Sequence, residues 1–145
     1  MKVKIKADMK PFSQQLHDEN DQIAKTAVMT FIRKSWNLEC EEGSKYGVDI
    51  EVFREGFFCG YVEVEKRHNW ITDFPYKTVH VPARKEKFFG FFPTLLFSVR
   101  LDCKKAMYAK AADIVSSPII TIDNKYMDSE RFFDVPIQKW TIVDL

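Results

Sequence analysis

Glycine and proline are scarce in this chain, with five Gly and six Pro among 145 residues. That excludes a collagen-like or linker-rich chain, which needs those residues in quantity. No window reaches the roughly 18 uninterrupted apolar residues of a membrane span. The start, Met1-Lys2-Val3-Lys4-Ile5-Lys6, alternates and does not lead into the apolar stretch of a signal peptide. A soluble, cytoplasmic protein without a membrane partner is therefore expected. Cysteine is sparse as well: Cys40, Cys59 and Cys103 are odd in number and lack metal-ligand spacing, which predicts reduced, structural thiols. Repeats, Gly/Ser linkers and low-complexity tracts are all missing, so residues 1–145 read as a single domain. What the chain does have is apolar bulk. Thirteen Phe and three Trp within a 46% hydrophobic composition are enough to offset chain entropy by burial.

The net charge of +1 hides a division along the sequence. Residues 1–65 carry nine Lys/Arg against twelve Asp/Glu, residues 66–110 ten against three, and residues 111–145 three against six. A cationic middle third thus follows an acidic stretch directly. Such an order suits a carboxylate site for a metal set beside a surface for phosphates; the plainer account is that the lysines and arginines decorate solvated strand faces.

Residues 13–35 have helical periodicity: Ile23, Ala27 and Phe31 recur every four positions, with Ala24, Val28 and Ile32 beside them. Arg33 and Lys34 suit the negative end of the helix dipole. Glu19 lies four residues before Ile23, which places it on the inward stripe. After the helix the period changes to two. Trp36 to Glu41 reads as a first strand. Val48, Ile50 and Val52 then oppose Asp49, Glu51 and Phe53, and Val62 and Val64 oppose Tyr61, Glu63 and Glu65, as in a hairpin. A three-residue loop Arg54-Glu55-Gly56 pairs Asp49 with Tyr61 and makes Asp49 and Glu63 diagonal neighbours. A two-residue loop sets Asp49 opposite Val62 and separates the acids. Further strands are expected at 77–81, 95–101, 106–111, 119–122 and 140–143, and the run Phe88-Phe89-Gly90-Phe91-Phe92-Pro93 as a packed loop, or less readily a partner-binding patch.

Asp49, Glu63 and Glu65 should project from one face of that hairpin. Crowded carboxylates repel unless water screens them or a cation neutralises them. The matching ligand is a hard divalent ion, Mg²⁺ or Mn²⁺, and such an ion serves phosphodiester chemistry. An exposed polar hairpin face would produce the same pattern of residues.

The segment Gly47-Val48-Asp49-Ile50-Glu51-Val52, followed by Gly60-Tyr61-Val62-Glu63-Val64-Glu65-Lys66, resembles the core of the PD-(D/E)xK nuclease superfamily. That core has an Asp on one strand and acid-x-Lys on the next, with a preceding helix that often adds a Glu, here matched by Glu19. With Trp70 and Arg84-Lys85 near a Phe-rich segment, the pattern is similar to small phage-encoded resolvase- or endonuclease-like members. The resemblance covers roughly residues 19–110, and its tight motif only 49–66. It implies a restriction-endonuclease-like α/β fold, a central mixed β-sheet flanked by helices. It also implies a Mg²⁺-dependent endodeoxyribonuclease, located in the host-cell cytoplasm if phage-encoded, and it allows a homodimer. Asp49, Glu63 and Glu65 would hold the metal, with Lys66 and Glu19 completing the catalytic set. The chain departs from the motif in two places. Val48 replaces the Pro, and Glu65 stands where the motif has Lys, leaving Lys66 one residue late and on the opposite strand face. Lys66 would turn inward only through a bulge, and Lys77, Lys85 or Lys87 are candidate replacements for the missing cation.

The nucleic-acid surface is expected from Lys66, Arg67, Lys77, Arg84, Lys85 and Lys87, with Trp70 and Tyr76 as stacking groups. His68 and His80 read as ordinary polar residues, and Trp36 and Trp140 as core. The rival to a nuclease is a nuclease-like domain without turnover that binds nucleic acid or a host protein. A plain interaction domain using Phe88 to Phe92 is the third reading.

Overall fold

The computed structural model describes residues 14–43, 47–90, 92–123 and 129–145, with side chains from residue 22 onward. The chain opens on a helix α1 (Gln14–Ser35). Its buried positions are Ala24, Val28, Met29, Phe31 and Ile32, at the i, i+4, i+7, i+8 spacing of one helical face. Ile23 is 58% exposed, so the inward stripe is centred one position later than its periodicity with Ala27 and Phe31 suggests. Each fully buried side chain such as Val28 or Ile32 contributes about 1.5–3 kcal/mol. Asn37, with φ of 53°, turns the chain out of the helix, and Arg33 reaches forward to donate to the Cys40 carbonyl at 2.8 Å. Trp36 does not open a strand. It sits edge-on to Phe31 and Tyr108 at the edge of the core.

A six-stranded mixed sheet follows. Its strands are β1 (Glu39–Glu42), β2 (Ile50–Arg54), β3 (Phe57–Arg67), β5 (Thr94–Arg100), β6 (Lys105–Lys110) and β9 (Thr141–Asp144), in that spatial order. All neighbours are antiparallel except β3 and β5, which run parallel. The crossover between those two carries β4 (Thr78–Pro82) and a 3-10 turn (Ala83–Phe88). A second, three-stranded sheet orders β4, β8 (Glu130–Pro136) and β7 (Ile119–Ile122), and a short helix α2 (Ala111–Val115) leads into it. Strand β8 had no expected counterpart in the sequence reading, whereas β7 falls on the expected residues.

Alternation along the strands divides the large sheet into two buried faces. Ile50, Val52, Val62, Val64, Phe97, Val99 and Ala106 pack under α1. Leu96, Met107 and Ala109 face the other way, against Val79, Val81, Ile114, Phe133 and Val135. The coarse expectation of an α/β protein with a mixed central sheet is met. Helix α1 covers one face; the other is covered mainly by the second sheet, with Ile114 of α2 beside it, because the crossover after β3 is built of a strand and a 3-10 turn.

Candidate active site

The hairpin of β2 and β3 closes through a two-residue turn, Glu55 and Gly56, both with positive φ (50° and 81°). A regular ladder from that turn would set Asp49 opposite Val62. Instead Phe53 pairs with Phe58 while Val52 pairs with Gly60, so Cys59 is an extra residue in β3 and forms a bulge. The register moves by one and Ile50 faces Val62. Asp49, just before β2, is thereby brought level with Glu63. Neither loop geometry considered from the sequence anticipated this: the loop has two residues, and the bulge keeps the acids together.

Asp49 Oδ2 accepts the Val64 backbone N–H at 2.8 Å, and its Oδ1 lies 3.7 Å from Lys25 Nζ on α1. Glu63 is 1% exposed. Its Oε2 is 3.4 Å from Lys85 Nζ, which the 3-10 turn of the crossover delivers. Its Oε1 is buried and has no donor while both carboxyls are ionised. A proton on Glu63 supplies the missing hydrogen bond to Asp49. Burial first, then that hydrogen bond and the like charge of Asp49, push the Glu63 carboxyl up to about 8, with Lys85 acting against them.

Glu65 shares the strand face of Glu63 but is held elsewhere. Its Oε2 lies 3.5 Å from Arg67 Nη2, and Arg67 Nε donates to the buried Ser98 hydroxyl at 3.2 Å. The expectation that Asp49, Glu63 and Glu65 converge therefore holds only for the first two. Among the described residues, no group of three His, Cys, Asp or Glu side chains could hold a metal ion. Two carboxylates with an orphaned buried oxygen still fit Mg²⁺, which is commonly bound through one or two carboxylates and keeps several waters. The side chain of Glu19 lies outside the described residues, and the placement of that residue on the inward stripe rested on the exposed Ile23.

The remaining expected site residues scatter. Lys66 stays on the α1 face, where its charge acts on the Cys103 thiol. Arg84 is tied to Glu130 Oε1 at 2.8 Å, while Lys77 and Lys87 are exposed. Trp70 is a correction: at 2% exposure it belongs to the core between the sheets, packed edge-on against Phe74, and offers no free face for stacking. Its place in a loop after a charged strand end had suggested a surface ring, but the loop folds back over the sheet and Leu101 N–H donates to its carbonyl at 2.9 Å. Lys25 and Ser98 were not anticipated. Lys25 directly follows the buried Ala24, and only the packing of the helix against β3 brings it near Asp49.

No protein-family model, no curated protein and no solved structure matches this chain. No helix among the described residues is long and apolar enough to cross a membrane.

Proposed function

We propose that the chain is a metal-dependent endonuclease that hydrolyses DNA phosphodiester bonds. The observation that carries this reading is the meeting of Asp49, Glu63 and Lys85 at the open end of the β2–β3 hairpin. Two acids and a lysine are the residue types of the PD-(D/E)xK motif, with Lys85 reaching from the crossover in place of a lysine on β3.

Asp49 and Glu63 would hold Mg²⁺ or Mn²⁺. When bound there, such an ion would supply positive charge for the phosphate and lower the pKa of water. The residues supply the rest. The Val64 N–H anchors the Asp49 carboxylate, so one of its oxygens is oriented by backbone and does not wander. Lys85 keeps a positive charge beside Glu63 and is placed to hold a phosphate oxygen or to orient the attacking water.

The test is a digest of single-stranded, duplex and branched DNA with each metal. The wild-type chain is expected to cut at least one of them, and Asp49→Ala to abolish cleavage while DNA binding persists. Cleavage unchanged in that variant removes the site from consideration. The Glu65–Arg67 pair, which withholds the third acid, favours a second reading: a domain that binds nucleic acid or a host protein without turnover. That domain would leave every substrate intact with either metal.

A further inference from the structure

The strand face that carries Glu63 continues toward the hairpin turn as a run of aromatic rings. Phe58 lies 5.0 Å from Tyr61 and 5.1 Å from Phe92, and Tyr61 lies 5.6 Å from Phe92. Phe53 extends the run, 6.0 Å from Phe58. Folding buries these rings only in part: Phe92 keeps 49% of its surface in water and Phe58 is exposed as well, while Phe53 and Tyr61 are half-buried. A contiguous apolar patch of this kind marks a binding surface.

A cavity of about 420 Å³ opens beside the rings, lined by Val48, Glu51, Tyr61, Lys87, Phe88 and Phe92 among others. Val48 immediately precedes Asp49. Tyr61 is two residues before Glu63 on β3, so their Cα atoms lie about 7 Å apart along the strand. Lys87 and Lys85 place their ammonium groups 5.0 Å and 5.8 Å from the Phe88 ring centre. The cavity therefore combines flat rings, a cation at Lys87 and a carboxylate acceptor at Glu51.

We infer that this cavity takes an unpaired base of DNA, so that the chain acts on single-stranded or branched DNA and not on an intact duplex. A base stacks on Phe92, with Tyr61, whose ring stands at 89° to that of Phe92, as a side wall; its phosphate meets Lys87, and an exocyclic amino group is offered to Glu51. A base inside a duplex has both faces covered by its neighbours and must leave the stack to reach such rings. An apolar protein side chain would fill the cavity but give Lys87 and Glu51 nothing to pair with. The choice of DNA rests on the nuclease reading above, whereas the choice of an unpaired base rests on the cavity.

The experiment is fluorescence anisotropy in EDTA with a labelled 12-nucleotide DNA strand and its blunt duplex. The DNA strand is expected to bind at least about tenfold tighter than the duplex. Phe92→Ala should weaken strand binding about tenfold and leave duplex binding unchanged. Phe92→Leu, which keeps apolar packing but lacks the flat ring, should weaken it in the same direction. A duplex bound as tightly as the DNA strand, or wild-type strand binding by both variants, overturns the inference. Because binding is read without metal, an absence of cleavage counts against the nuclease reading alone, and an absence of strand preference against the base pocket alone.

Discussion

Glu63 is the residue on which the proposed chemistry and the stability of this protein meet. Burial and the Asp49 carboxyl raise it to about 8 from an ordinary 4.5, so the folded chain holds a proton that the unfolded chain releases between those two pH values. The sign follows directly. The folded state binds more protons in that window, so its stability is greatest below pH 4.5 as far as this group is concerned. It declines as pH rises toward 8 and is level above. Glu63→Gln, which keeps the shape and cannot ionise, is expected to flatten that decline and to melt higher than wild type at pH 9. Melting curves at pH 5, 7 and 9 check this, and parallel curves for the two proteins would contradict it. A divalent ion held as proposed would compete with the same proton, so Mg²⁺ affinity is expected to rise with pH up to about 8 in titration calorimetry, and an affinity independent of pH would count against Glu63 as a ligand.

At the scale of elements, the hairpin and its parallel neighbour depend on Gly60. This residue sits beside the Cys59 bulge, and a Cβ there would collide with the carbonyl oxygen of Pro93. That same carbonyl accepts the Tyr61 N–H at 2.9 Å, the contact that starts the β3–β5 pairing. Gly60→Ala is expected to push β5 away from β3 at this end and to cost about 1–3 kcal/mol, as overpacking does. Urea unfolding measures it, and a wild-type midpoint would show that the backbone yields freely. Gly56, by contrast, has open space around it and is needed only for its positive φ in the turn.

For the whole molecule, the distribution of charge is the instructive quantity. The +7 excess of residues 66–110 suggests a broad cationic surface, yet folding pairs much of it internally. Arg67 goes to Glu65, Arg84 to Glu130, Lys85 to Glu63, Arg100 to Asp102 and Lys105 to Asp144. Acids from outside the cationic stretch supply most of these partners, brought in by the sheet and by β8. Single-strand DNA binding is accordingly expected to depend weakly on salt. The slope of log K against log salt should correspond to about two or three phosphate contacts at roughly 0.7 each. Anisotropy titrations over a series of salt concentrations read it, and a slope of −5 or steeper would mean that the ion pairs open to meet the strand.

Strand and helix positions were largely legible because they follow from period. The helix, the acidic hairpin and the strand at 119–122 are visible in the spacing of their apolar residues, and so is the candidacy of Asp49 and Glu63. Composition likewise determined that the chain buries a core. Tertiary structure alone decided which acids meet. A one-residue bulge at Cys59 aligned Asp49 with Glu63, and Arg67 and Ser98 drew Glu65 aside. A crossover turn carried Lys85 across 22 positions of sequence to Glu63, on the strand face from which Lys66 points away. Trp70 went into the core for the same reason that β8 escaped notice: their partners are distant in sequence, and local spacing carries no record of a surface formed only when two sheets close on each other.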